Sequence, residues 1–295
     1  MAYTGTGTES DPYLVSTLSD FISRVGVSGA YVKVISNIDA REEQEYPTVS
    51  TIYFRAKKIY ADTLTKVSGF IVSGANCFNV NPGHAIAIEN IHFTDILYKS
   101  TGNYSTVMYG YSCTFTDCKI SIKTSYSPSQ GLTCLLGCTF RRCALRFDFE
   151  GTGTGYDTNS PFGGSVYFAQ SVVEINNYPY RYTSSSSSTY EWYAYAEFSV
   201  FKISFIQIID NSARIYVFLS RSHDNIIMIS QQHLESTFRY WHSILVNGTS
   251  MLVDSEASEN VGERLSFSDT GARNHKLTTE QIQSEEYLRE IGFIP

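Results

Sequence analysis

The residues best suited to acid–base chemistry are carboxylates that recur in a repeated strand pattern. Asp95 and Asp117 each follow a threonine in two similar segments, residues 91–96 and 113–118. Two carboxylates on neighbouring turns of a repeat would shift each other's pKa, as a glycosidase acid–base pair requires. Aspartate is also typical of turns, where it hydrogen-bonds the local backbone, and Arg142 holds this position in the next copy. A surface charge ladder is therefore the simpler interpretation, and both residues are weak catalytic candidates.

A third carboxylate lies in the segment Arg146-Phe147-Asp148-Phe149-Glu150, where charged and aromatic residues alternate. In a strand this alternation places Asp148 on the outer face, which makes it a further weak catalytic candidate. The six histidines are scattered, and the chain has no zinc-binding histidine pattern, no Gly-x-Ser-x-Gly elbow and no phosphate loop. The sequence therefore predicts no metal site and no cofactor.

The elements that must position these side chains are short strands, as the composition indicates. The 295 residues include 22 Tyr, 18 Phe and 20 Gly, and only 17% are charged, which suits strands and tight turns better than a helical bundle. A net charge of −7 and a pI of about 5.4 lack the basic footprint of a nucleic-acid-binding protein. No apolar run approaches the roughly 20 residues that span a bilayer. We therefore predict an all-β protein that binds neither nucleic acid nor a membrane.

A repeat defines the architecture. Residues 91–96, 113–118 and 138–143 read alike, residues 166–171 form a weaker copy, and the starts lie 22, 25 and 28 residues apart. Such periods are typical of solenoids, and the alternation within each copy indicates a strand followed by a corner. The sequence thus predicts a single-stranded right-handed parallel β-helix with short capping α-helices. We expect three internal ladders: Ile91/Cys113/Cys138, Phe93/Phe115/Phe140 and Ile96/Cys118/Cys143.

The same repeat gives the cysteines an interpretation. Five of the six lie within residues 113–143, and several take positions that hold isoleucine in the first copy. Cysteine would then serve as a small buried apolar residue. Stacked strands lie about 4.8 Å apart, so disulfides between coils stay open as an alternative. Metal ligation has less support because no Cys-x-x-Cys pair occurs, and buried free thiols are the favoured interpretation.

A tyrosine-rich segment interrupts the repeat and is the candidate binding surface. Tyrosines alternate before the serine run 184–188 and are dense after it, which predicts a hairpin near residues 178–198 that projects from the rod. Exposed rings of this kind contact glycans or proteins, although a hairpin folded onto the rod would fit the same pattern. The predicted contact residues are Tyr180, Tyr182, Trp192, Tyr193 and Tyr195.

Both ends of the chain predict caps, since open solenoid ends invite unwanted strand pairing. Residues 16–25 carry apolar side chains at helical spacing before Gly26, and Thr278-Thr279-Glu280-Gln281 forms a capping box for a second helix. We therefore divide the chain into an N-terminal strand and capping helix (1–25), a β-helix with its hairpin (26–270) and a C-terminal capping helix (271–295).

The two ends also carry a resemblance. Gly5-Thr6-Gly7-Thr8-Glu9-Ser10-Asp11-Pro12-Tyr13-Leu14-Val15, together with the ending from Leu277 to Phe293, resembles the termini of bacterial and phage surface proteins with right-handed parallel β-helix repeats. The resemblance implies a virion-associated or extracellular β-helix and carries over no catalytic residues. Because the N-terminus has no signal-peptide pattern, a virion location is expected, with the bacterial cell surface as the alternative.

These observations predict a structural or adhesive component of a bacteriophage virion, such as a head or tail decoration, a fibre or a spike. Its expected partners are other virion proteins and a host surface glycan, and side-by-side association as a homotrimer is expected because many rigid rods assemble in this way. The alternative is a β-helix polysaccharide depolymerase or lyase that acts on bacterial surface glycans, because that fold also carries such enzymes.

Overall fold

The computed structural model describes residues 4–42, 45–80, 85–101, 104–125, 131–150, 162–163, 166–178, 190–197, 199–205, 215–220, 225–230, 243–247 and 250–252. Its elements in chain order are β1 Tyr13–Val15, α1 Leu18–Val25, β2 Tyr31–Val34, β3 Ile38–Asp39, a 3-10 turn Ala40–Glu42, β4 Thr48–Val49, β5 Ile52–Phe54, β6 Lys58–Gly74, β7 Asn76–Val80, β8 Ile86–Ser100, β9 Tyr104–Thr116, β10 Lys119–Ser125, β11 Gly131–Arg141, β12 Ala144–Glu150, β13 Phe162–Gly163, β14 Tyr167–Ala169, β15 Val172–Tyr178, β16 Tyr190–Glu197, β17 Val200–Phe205, β18 Ile215–Ser220, β19 Asn225–Ser230, β20 Ser243–Asn247 and β21 Ser250–Leu252.

Except for β21, which pairs antiparallel with β20, these strands form a right-handed parallel β-helix, which confirms the predicted fold class. The first ladder joins β1, β2, β6, β8, β9, β11, β14 and β16 in parallel. The second ladder joins β3, β6, β8, β10, β12, β15, β17, β19 and β20. The third ladder joins β5, β7, β9, β11 and β13. Long strands such as β6 and β8 turn a corner and so contribute to two ladders.

The core is a set of side-chain stacks that run along the axis. In the first ladder, Phe140 pairs with Phe115 on one side and with Phe168 on the other. The ring centroids lie 5.0 and 5.4 Å apart, with interplanar angles of 17° and 15°, and all three side chains are fully buried. Alternation along each strand supplies these stacks, since every second residue points inward.

The register confirms part of the predicted alignment and corrects the rest. Cys113 pairs with Cys138, and Phe115 pairs with Phe140, as expected. Phe93, however, lies in the second ladder between Val67 and Ile120, so its predicted stacking on Phe115 is wrong.

Two other expected stacks change for the same reason. Lys119 pairs with both His92 and Ala144, and this register aligns Ile91 with Cys118 and Cys143 in place of Cys113 and Cys138. Ile96 pairs with Ile122 in the second ladder. The segments read alike because both walls of a coil have the same alternation followed by a sharp corner.

The corners between the first and second ladders share one backbone device. The residue before each corner has a positive φ in four successive coils, with values of 58°, 53°, 51° and 49° for Asn90, Asp117, Arg142 and Gln170. This left-handed conformation is uncommon outside glycine, and asparagine and aspartate adopt it more readily than most residues. It turns the chain from one wall to the next without a long loop, so that the next strand enters its ladder in register.

The N-terminal cap forms as predicted. Helix α1 begins after Thr17, whose hydroxyl accepts a hydrogen bond of 3.1 Å from the backbone N–H of Asp20, and it ends at Gly26. Phe21 packs edge-on against Phe54 and Phe93 with centroid distances of 6.4 and 6.1 Å. The helix therefore covers the apolar end of the stack. The predicted C-terminal helix, residues 271–295, lies outside the described residues.

All six cysteines are buried and free, which confirms their interpretation as core residues. Cys113 and Cys138 stack on adjacent coils, and burial raises the pKa of the Cys138 thiol to about 12. Burial likewise holds the pKa of Cys77 and Cys134 well above the usual value. These thiols stay protonated at neutral pH and fill space as small apolar groups.

One buried hydroxyl gives a stability prediction. Thr124 is fully buried between its ladder neighbours Tyr98 and Phe149, and its hydroxyl has no hydrogen-bond partner among the described residues. Because an unsatisfied buried hydroxyl is costly, Thr124→Val should raise the free energy of unfolding by about 1 kcal/mol, measured by urea denaturation.

The matched control for Thr124→Val is a buried hydroxyl that has its partners. Ser171 donates to the Ala169 carbonyl at 2.9 Å and accepts from the Cys143 N–H at 3.1 Å. Ser171→Ala should destabilise the protein by about 1–2 kcal/mol. A Thr124→Val variant as unstable as Ser171→Ala would contradict the interpretation.

Candidate functional site

Asp95 lies at a corner of the second ladder and contacts an arginine from an earlier coil. Its carboxylate forms an ion pair of 2.8 Å with Arg41, and the Tyr46 hydroxyl donates to it at 3.3 Å. Arg41 also binds Asp39 through its Nε at 2.8 Å. Asp95 has a φ of 51° and belongs to the same corner as Gly69. The carboxylate thus helps to tie two coils together.

Asp117 lies at a different corner and is held by an arginine of the next coil. Arg142 donates two hydrogen bonds to it, from Nε and Nη2, each of 2.7 Å. These bonds and the guanidinium charge hold the pKa of Asp117 below its usual range. The register aligns Asp117 with Asn90, so Asp95 and Asp117 do not share a repeat position, and the prediction that they stack is wrong. The charge ladder that the sequence favoured is present between Asp117 and Arg142.

Asp148 faces outward, as its alternation predicts, within a third charged cluster. Burial raises its pKa, but hydrogen bonds from Arg146 Nε at 2.9 Å and Asn176 Nδ2 at 2.8 Å outweigh burial, so the pKa of Asp148 lies below its usual range. The neighbouring Glu150 pairs with Lys123 at 3.5 Å.

The three candidate carboxylates therefore share one arrangement, an arginine bound directly to each of them. A glycosidase needs one carboxyl group whose pKa is raised so that it can donate a proton. For Asp117 and Asp148 the shift is in the opposite direction. This arrangement suits two ion pairs that join different coils, Arg41 with Asp95 and Arg142 with Asp117, and one within strand β12, Arg146 with Asp148.

The pair formed by Asp117 and Arg142 gives a pH prediction. The two side chains are 45% and 42% exposed, so solvent screens the pair and we expect it to contribute only about 0.2–1 kcal/mol. Because folding lowers the pKa of Asp117, this stability is present above the unfolded pKa of about 3.9 and is lost as the pH falls through the folded value. Asp117→Asn should therefore destabilise the protein at pH 7 and have little effect below both values.

Urea unfolding of the wild type and Asp117→Asn, at pH 7 and at a pH below both pKa values, measures this difference. Arg142→Gln is the matched control, because removal of the other partner should give a similar loss at pH 7. An Asp117→Asn effect that is as large in acid as at neutral pH would show that the carboxylate acts through something other than its charge.

The tyrosine-rich segment lies partly in the wall of the solenoid. Strand β16 pairs in parallel with β14 and with β18, and Tyr195 is the ladder partner of Tyr167. Trp192 and Tyr193 pair with Val217 and Phe218. The structure thus places this strand within a parallel wall, a setting that its dense aromatic pattern also fits, whereas residues 179–189 of the predicted hairpin lie outside the described residues. Tyr180 and Tyr182 lie outside the described residues.

The sequence analysis missed a column of basic residues, two lysines with a histidine between them. Lys66 pairs with His92, and His92 pairs with Lys119, on successive coils of the second ladder. The three residues are 26 and 27 positions apart, and each follows a buried residue, Thr65, Ile91 or Cys118. Because that spacing equals the length of one coil, it was the signal in the sequence that could have predicted the stacking of these three residues. Without the strand register, His92 had no recognisable neighbours in the sequence pattern.

In the described part of the chain, no group of three or more histidine, cysteine, aspartate or glutamate residues could hold a metal ion. None of the described helices is long and apolar enough to cross a membrane. No family model matches the chain, and neither a curated protein nor a solved structure is significantly similar to it.

Proposed function

We propose that this protein is a structural or adhesive component of a bacteriophage virion, a rigid β-helical rod that contacts other virion proteins or the host surface. The observation that carries the proposal is the uninterrupted stack of buried side chains, which runs from helix α1 through the Phe115, Phe140 and Phe168 rings. Such a stack resists bending and lateral compression because each coil packs on the next. The resemblance at the two chain ends supports a location on the virion or the bacterial cell surface.

The ion pairs of the candidate carboxylates support a structural role for these residues over a catalytic one. Asp95, Asp117 and Asp148 each bind an arginine, and two of these pairs join different coils. Ion pairs of this kind fix the relative position of strands at corners where the backbone has a positive φ. The charged side chains at these corners therefore help to align successive coils.

Association as a homotrimer is part of the proposal. Several large apolar side chains are exposed on the described surface, including Ile35 at 53%, Tyr53 at 46% and Tyr111 at 44%. Side-by-side contact between rods would cover such residues, and obligate interfaces are enriched in them. Sedimentation equilibrium of the full chain should give three times the mass of one chain, and Ile35→Lys should weaken the assembly.

A glycan digestion assay separates the structural role from the depolymerase or lyase alternative. The full chain is incubated with purified bacterial capsule and cell-wall glycans, and released reducing ends and unsaturated sugars are measured. We expect no release above a heat-denatured control. Release by the wild type that is lost in Asp95→Asn, Asp117→Asn or Asp148→Asn, in variants that still fold by circular dichroism, would overturn the structural role.

The virion location has its own test. Antibodies raised against the recombinant chain are applied, with gold labels, to phage particles induced from the host that carries the gene. We expect labels at a defined part of the particle, on the head or the tail. Labels confined to the cell surface would favour the bacterial surface alternative.

A further inference from the structure

We infer that the outer surface of the second ladder binds an anionic polysaccharide through the cation column, which we define as Lys66, His92 and Lys119. This inference rests on the proposed adhesive function and names the chemistry of its ligand. It has three supports: the register that brings the residues together, the lack of carboxylate partners for the two lysines, and the neighbouring hydroxyl groups.

The register places the three residues side by side on consecutive strands. Lys66, His92 and Lys119 are direct ladder partners on β6, β8 and β10. Parallel strands lie about 4.8 Å apart, so the two lysines are attached to strands roughly 10 Å apart with the imidazole between them. Both lysines are exposed, and His92 is half-buried. A chain of sugars could therefore lie along the rod axis and contact all three side chains.

The two lysines of the column differ in charge balance from three other surface lysines. Lys33, Lys58 and Lys123 form ion pairs with Asp62, Glu89 and Glu150. Among the described residues, neither Lys66 nor Lys119 has a carboxylate within ion-pair distance.

The carboxylates nearest to the column in the sequence are already engaged. Asp95 is bound to Arg41, and Asp117 is bound to Arg142 by two hydrogen bonds. The column is thus a local excess of positive charge on a chain whose net charge is −7. Uncompensated like charges in register are unfavourable and persist at little cost only if they face solvent or a counter-charge.

Hydroxyl groups stand beside the column, two positions further along the strands. Thr94 follows His92 on β8, and Ser121 follows Lys119 on β10, and both residues are half-buried. Hydroxyls next to ammonium groups can bind both the charged group and the ring hydroxyls of a sugar. A carboxylate-bearing or sulfate-bearing glycan presents both kinds of group.

His92 supplies a spectroscopic reporter for the bound anion. Burial and the two flanking lysines hold the pKa of His92 below its usual value. The described charged groups that act on it are Lys66 and Lys119, both positive. An anion that bridges the two lysines would offset their charge and favour protonated imidazole, so binding should raise the pKa of His92.

The test measures binding of two defined probes to the full chain. Polygalacturonate carries carboxylates, dextran sulfate carries sulfates, and unmodified dextran is the neutral reference. We expect the wild type to bind at least one anionic polymer but not dextran, with an affinity that falls as salt is added. The Lys66→Gln/Lys119→Gln double variant should bind at least tenfold more weakly.

A second double variant controls for net charge. Lys57→Gln/Lys99→Gln removes the same charge from two exposed lysines outside the column and should reduce binding less than threefold. In parallel, the proton NMR titration of His92, assigned with His92→Gln, should show a pKa that rises when the anionic polymer is added.

The outcomes distinguish this inference from the proposed function. Equal losses in the two double variants, or an unchanged His92 titration in the presence of bound polymer, would overturn the column as the site and leave the adhesive role standing. Failure of the wild type to bind either anionic polymer would overturn the ligand class. Tighter binding of a single-stranded oligonucleotide than of either glycan probe would replace the glycan by nucleic acid.

Discussion

Phe140→Ala should lower the free energy of unfolding by about 3–5 kcal/mol, because it leaves a cavity in the middle of a continuous aromatic stack. The ring of Phe140 lies between those of Phe115 and Phe168, at centroid distances of 5.0 and 5.4 Å. The removed ring leaves both neighbours without a stacking partner, and the ladder on either side prevents the site from collapsing. Urea denaturation followed by circular dichroism measures the change.

The matched control is the next residue in the same strand. Thr139 is half-buried on the outer face and pairs with Thr114 and Tyr167, so Thr139→Ala should change the free energy of unfolding by no more than about 0.5 kcal/mol. Equal effects of the two substitutions would mean that Phe140 does not face a tightly packed interior.

Gly137→Ala should destabilise the protein by about 3–5 kcal/mol, through backbone strain and a steric clash together. Gly137 has a φ of 69°, and a Cβ at this position would overlap the carbonyl oxygen of Gly110 on the preceding coil. The clash is with backbone, so no rotamer change can relieve it. Relief would require the corner before Cys138 to move away from the adjacent coil and weaken the pairing of β9 with β11. Thermal and urea unfolding measure the loss.

Gly29→Ala separates the two causes of this loss. Gly29 also has a positive φ, of 74°, but no atom lies within 4 Å of where its Cβ would stand. Alanine there should cost only the left-handed backbone penalty, about 1–2 kcal/mol. If both alanine variants lose the same stability, the close approach of the two coils contributes nothing.

The sequence predicted the fold class because the alternation and the roughly 25-residue period are local and repeated. It misplaced the register because the two walls of one coil carry the same pattern. Ile91 and Cys113 both begin an apolar-x-Phe segment. Ile91, however, follows the corner between the first and second ladders, whereas Cys113 precedes that corner in its own coil. The strand pairings, such as Phe93 with Ile120 and Phe115 with Ile88, show which segment belongs to which wall.

The candidate site was harder to predict than the fold. The outward position of Asp148 followed from alternation alone, whereas the partners of Asp95 and Asp117 depend on residues one or more coils away. The cation column required the register at single-residue accuracy, since a shift of one residue would turn its side chains to the other face. Long-range pairing therefore decides the chemistry of this surface.

The inner ladders remain in register although the coils differ in length. From Val32 to Ile59, and onward through Ile88, Phe115, Phe140 and Phe168, successive partners are 25 to 29 residues apart. The extra residues are accommodated in the segments between ladders. In evolution, insertions and deletions in this chain should therefore be accepted at those connecting segments and rejected within a strand, where a single deletion would exchange interior and exterior for the rest of that wall.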